Sequence, residues 1–136
     1  MTDHRSLDQG IYIRLVTTRE PIKRAFAGTG RSWRREKSSA HWIAQSIVTG
    51  IRGNHRIERD GVAIDEAEIV ELLADELWKV PEAIAKDFVG VDASKRDDAK
   101  AAITHALLTA LTSRFECTFF QPEYRGMGPS SYPSCR

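Results

Sequence analysis

The stretch Arg31–Arg52, RSWRREKSSAHWIAQSIVTGIR, decides the fold. At 100° per residue, Trp33, Ala40, Ile43, Ala44, Ile47, Val48 and Ile51 share one broad face. Arg31, Arg34, Arg35, Ser38, His41, Gln45, Thr49 and Arg52 share the other. The spacing predicts one long amphipathic helix whose apolar side, Trp33 included, points into a core. Trp42 falls near the middle of the polar side, flanked by Arg35, Ser38 and Gln45. Isolated exposed apolar residues are ordinary, but a tryptophan ringed by arginines and amides is less so. The expected partner-binding set is therefore Arg31, Arg34, Arg35, Trp42, Gln45 and Arg52, with Arg56 just beyond.

Working outward, Gly50 and Gly53-Asn54 end that helix. His55–Arg59 and Val62–Ile64 flank Asp60-Gly61, a two-residue hairpin signal. Asp65-x-x-Glu68 resembles a capping box opening a helix that buries Ile69, Val70, Leu73 and Leu77, extended by Ala74 and Trp78. Pro81 breaks it, and a short helix follows to Val89 with Ile84 and Phe88 inward. Ser94-x-x-Asp97 is expected to open a last helix reaching about Phe115, with Ala99, Ile103, Ala106, Leu107, Ala110 and Leu111 on its apolar face. Upstream, Thr18 and Pro21 start a short helix over Pro21–Ala27, stopped by Gly28-Thr29-Gly30. GIYIRLVTT, Gly10–Thr18, alternates and is rich in β-branched residues, so it is expected as a strand, paired with Cys117–Gln121. From residue 122 to 136, Pro, Gly and Ser dominate, as in an extended tail. The expected fold is α+β: a helix-dominated single domain, residues 1–121, on a small, mostly antiparallel sheet.

Charge divides the 136 residues sharply. Residues 14–59 hold 11 Lys/Arg against three acids, whereas residues 60–92 hold 10 acids against two lysines. The net charge of +1 hides this bipolarity. Either the basic part meets an anionic partner, or the two parts neutralise each other within the fold. Glu68, Glu71 and Asp75 form an acidic ridge at helical spacing, a candidate second contact.

Catalytic constellations are not legible. Gly10-Ile11-Tyr12 resembles the opening of the GIY-YIG nucleases, but that family also needs a YIG strand, which is absent. Gly28-Thr29-Gly30-Arg31-Ser32 lacks the ending of a phosphate-binding P-loop and reads as a helix stop and restart. His4, His41, His55 and His105 form no paired ligand spacing, and Cys117 and Cys135 form no CxxC, so no metal or cofactor is expected. Glu36, Ser38, Ser39 and His41 are sequence neighbours, which does not assemble a triad. No apolar run approaches the roughly 18 residues that span a bilayer, and the N-terminus is polar. The expectation is a cytoplasmic protein with reduced thiols.

Two functions follow from these residues. One is a non-enzymatic nucleic-acid-binding protein, with the arginines on phosphates and Trp42 stacked on a base. The alternative is a protein-binding inhibitor or accessory subunit of a nucleic-acid-processing complex, a class that includes phage-encoded counter-defence proteins. There Trp42 and its arginines would be the interface hot spot. Homo-oligomers are compatible with either.

Overall fold

The computed structural model describes residues 4–120, with side chains from residue 7 onward. The expected tail, with Cys135, and the His4 side chain lie outside the described residues. The fold is α+β and helix-dominated, with six helices and one three-stranded antiparallel sheet among the described residues.

Helix α1, His4–Val16, stands where a strand was expected. Leu7, Ile11 and Leu15, four residues apart, are fully buried, whereas Ile13, which a strand would place beside them, is 57% exposed. Packing of the i, i+4, i+8 stripe overrides the β propensity of the sequence. The hydroxyls of Thr17 and Thr18 donate to the carbonyls of Ile13 and Arg14 at 3.0 and 2.7 Å, satisfying the end of the helix. Helix α2, Glu20–Ala27, carries Pro21 in its first turn and ends at Gly28, whose φ of 84° only glycine adopts freely. The Gly28 and Thr29 N–H groups both donate to the Arg24 carbonyl.

Helix α3 is shorter than expected, Lys37–Ile51. Residues 31–36 form a loop rather than its first turns, because Trp33 takes φ 57° and Glu36 is extended. From Lys37 on the expected inner face holds: Ala40, Ile43, Ala44, Ile47, Val48 and Ile51 are buried. This helix packs against α1, α2 and α4 and is the centre of the core.

The hairpin forms as expected. β1, His55–Arg59, pairs with β2, Val62–Ala63, across Asp60 (φ 54°) and Gly61 (φ 78°), the two positive φ values that a two-residue turn of this hand requires. Helix α4, Glu66–Trp78, buries Ile69, Val70, Leu73, Ala74 and Leu77 as expected, with Trp78 half-buried against the core. Its Asp65 makes no side-chain capping bond, and the Glu68 carboxylate receives Arg59 instead. Helices α5, Glu82–Phe88, and α6, Ala93–Arg114, close the core. The cap of α6 is Asp92, not Ser94: the Asp92 carboxylate accepts the N–H groups of Ser94 and Lys95 at 3.0 and 3.2 Å. Strand β3, Glu116–Phe119, pairs antiparallel with β1, with His55 opposite Phe119 and Ile57 opposite Cys117. The sheet order is β2-β1-β3. The expected partner of β3 is helix α1, so β1 takes its place.

His55 is buried where β1 meets the end of α3. Its Nδ1 lies 2.8 Å from the Asn54 Oδ1 and 3.3 Å from the Ile51 carbonyl, and its ring meets the Phe119 ring edge-on. Both neighbours are oxygens, so Nδ1 carries the proton. Burial holds the His55 pKa below the ordinary 6.5 despite the Ile51 carbonyl. The unfolded chain therefore takes up the proton before the folded one does. The stability this group contributes is complete above about pH 6.5 and is lost as pH falls through the lower, folded value. Urea unfolding between pH 7.5 and 5 should show stability falling toward acid, with a shallower fall in His55→Gln. Equal slopes in both proteins would contradict this assignment.

Candidate recognition surface

The loop between α2 and α3 is fixed at many points. The Glu36 N–H donates to the Ala25 carbonyl at 2.9 Å, and the Trp33 N–H to the Gly30 carbonyl at 3.1 Å. The Ser32 hydroxyl donates to the Glu36 carboxylate at 2.9 Å. Arg35 anchors the loop from beneath. Its Nε donates to the Phe26 carbonyl at 2.9 Å and its Nη1 to the Val80 carbonyl at 2.8 Å. Its guanidinium lies over the rings of Phe26 and Trp78, 4.8 and 5.0 Å from their centroids. Burial lowers the Arg35 pKa from the ordinary arginine value, an effect opposed by the charge of Glu82. One side chain thus ties the end of α2, the lead-in to α3 and the segment joining α4 to α5.

Trp33, assigned to the core from sequence, is 78% exposed. It stands between two shallow depressions. One, of about 680 Å3, has Arg24 and Arg31 with Glu20 and Glu36 among its lining residues. The other, of about 450 Å3, is lined by the loop and by Glu82 and Lys86 of α5. The sequence did carry a signal for this. Between Trp33 and Ala40 there is no apolar residue, so the helical stripe begins at Ala40.

The residues expected at the site separate into groups. Arg31 and Arg34 are exposed in the loop and make no ion pair among the described residues. Arg35 is committed to the internal contacts above. Trp42 is 61% exposed on α3, and Gln45 is exposed one turn further on. Arg52 lies at the far end of α3, roughly 20 Å along the helix, and its Nη1 is 2.7 Å from the Glu66 carboxylate. Arg56 sits over the Phe120 ring on β1. In the acidic ridge, Glu68 pairs with Arg59 at 3.0 Å. Glu68 and Asp75 line a groove with Glu76, and Arg59, Lys79 and Arg114 line the same groove, so three cations balance three carboxylates there. Glu71 is exposed outside it.

Among the described residues, no group of three His, Cys, Asp or Glu converges as metal ligands. No described helix is long and apolar enough to cross a membrane. No protein-family model, curated protein or solved structure matches the chain.

Arg35 makes two charge-assisted hydrogen bonds and stacks on two rings. Its replacement by Ala should cost about 3 kcal/mol of stability, read from denaturant unfolding. Arg35→Lys should recover little of that, because a point ammonium cannot serve two separated carbonyls while stacking. A loss below about 0.5 kcal/mol for Arg35→Ala would remove the anchoring role.

Proposed function

We propose that this is a non-enzymatic protein-binding module of the cytoplasm, an inhibitor or accessory subunit of a nucleic-acid-processing complex. It engages its partner through Trp33 and Trp42, with Arg31 and Arg34 beside Trp33. The observation that carries this reading is the presentation of Trp33. A bulky residue in the left-handed region costs roughly 1–2 kcal/mol relative to the right-handed one. An indole that is 78% exposed returns little of that cost through burial. The loop is nevertheless ordered around it by the hydrogen bonds of Ser32, Arg35 and Glu36. Strain held by its surroundings without benefit to the core supports a role in recognition. Tryptophan and arginine on an ordered support are the side chains enriched in interface hot spots. Cys117 is a buried thiol whose pKa burial pushes up to about 11, so it stays protonated and unreactive.

The test pairs two readouts on one variant. Glycine adopts the Trp33 conformation without strain but loses more entropy on folding. Trp33→Gly should therefore leave stability unchanged or raise it by up to about 1 kcal/mol. Recovery of a stoichiometric protein partner, surviving nuclease treatment, should fall about 30-fold or more, the scale of a hot spot of 2 kcal/mol. A variant that is strongly destabilised, or one that binds as before, would contradict this reading.

Arg31 and Arg34, with no ion pairs among the described residues and beside an exposed ring, favour a second reading in which the same surface binds single-stranded nucleic acid. It predicts retardation of DNA or RNA oligonucleotides at low salt, with a steep salt dependence that Arg31→Ala plus Arg34→Ala weakens. Retention of nucleic acid by that double variant, or no binding at low salt by the unmodified protein, removes it.

A further inference from the structure

The depression between the Trp33 loop and α5 has its own chemistry. Trp33 forms one wall. Arg34 and Lys86 bring two cations to it, and the Arg35 side chain forms part of its lining. Arg35 has already spent Nε and Nη1 on carbonyls, and its buried Nη2 donates to no group among the described residues. Gly28 lets the Arg35 stem pack closely against the backbone: a Cβ at that position would lie 3.1 Å from the Arg35 Cγ. Among the described residues, the one carboxylate in the lining is Glu82, 3.0 Å from the Lys86 ammonium. Three cations against one anion leave an excess of positive charge beside an exposed, flat apolar surface.

The charges around the cleft decide which anion it suits. Glu20 and Glu36 line the neighbouring depression on the other side of Trp33, and Glu82 lines this one. A polyanionic backbone running past Trp33 would meet carboxylates on both sides of the ring. A single compact oxyanion would not, provided that it entered only the Arg34–Lys86 cleft. We propose that this cleft is a subsite for one Asp or Glu side chain of the partner protein, held by Arg34 and Lys86 above Arg35, while an adjacent apolar residue of the partner covers the Trp33 ring. The subsite rests on the reading of Trp33 as the partner anchor and supplies the charge selection that Trp33 alone lacks.

The experiment uses isotope-labelled protein at low ionic strength and follows its amide and indole NMR signals. The probes are a six-residue peptide of alternating Leu and Glu, its Leu/Gln counterpart, and hexathymidylate. The Leu/Glu peptide should give saturable shifts confined to Thr29, the Trp33 indole, Arg34 and Lys86. The Leu/Gln peptide should bind about fivefold more weakly or worse, the effect of losing an exposed ion pair. Arg34→Ala plus Lys86→Ala, both exposed positions outside the core, should abolish the difference between the two peptides at unchanged thermal stability. Equal binding of the two peptides, or shifts scattered over the surface, would overturn the subsite. Tighter binding of hexathymidylate at the same residues would overturn the choice of a protein carboxylate in favour of a phosphodiester. The two proposals fail separately. Loss of peptide binding in Trp33→Gly, with no effect of the Arg34/Lys86 double variant, would sink the subsite and leave the Trp33 anchor standing.

Discussion

The Arg35 guanidinium, lying over the Phe26 and Trp78 rings and bonded to the carbonyls of Phe26 and Val80, is the constraint on which the candidate surface around Trp33 depends. It joins the end of α2 and the lead-in to α3 to the segment before α5, 45 residues further along the chain. It occupies the space beneath Gly28, and it fixes where α3 begins. Lysine cannot make this contact, because the planar fork is what allows stacking and two divergent hydrogen bonds together. The loop above it is therefore part of the folded core on its inner side and a display surface on its outer side. Trp33 is the residue displayed.

The bipolar charge pattern resolves in a way that the segment totals do not convey. At the far end of α3 and in β1, Arg52 and Arg59 are tied to Glu66 and Glu68 of α4. Exposed ion pairs of this kind contribute little stability, about 0–1 kcal/mol each, but they remove cations from the pool available to a partner. Asp75 of the acidic ridge lines a balanced groove with Arg59, Lys79 and Arg114, whereas Glu71 is exposed outside it. Arg31 and Arg34 of the Trp33 loop make no ion pair among the described residues, although Glu20, Glu36 and Glu82 line the depressions beside the ring. A long basic helix face has become a short basic rim around an aromatic anchor.

Legibility from sequence followed the strength of each local signal. The hairpin was legible because Asp60-Gly61 is a turn with its own chemistry, and α4 because its apolar stripe has one period only. α1 was not. Leu7, Ile11 and Leu15 fit both a strand and a helix, and only the polar Gln9, which a strand would place on the same face, separates the two. α3 was right from Lys37 onward and wrong before it, because a single apolar residue at the correct angle extended the stripe seven residues too far. At the site, exposure of Trp42 followed from periodicity. The inward role of Arg35 did not, since it depends on Val80, 45 residues away. The pairing of Arg52 and Arg59 with α4 likewise depends on contacts between segments that no local pattern encodes.

The central claim is that an internally anchored loop presents Trp33 in one backbone conformation before any partner arrives. Backbone amide relaxation by NMR across residues 28–36 tests it most directly. The account predicts order parameters near 0.85 for Trp33, Arg34 and Arg35, as in rigid backbone, falling in Arg35→Ala as the anchor is removed. Values below about 0.6 across the loop in the unmodified protein would show a flexible segment and contradict the account.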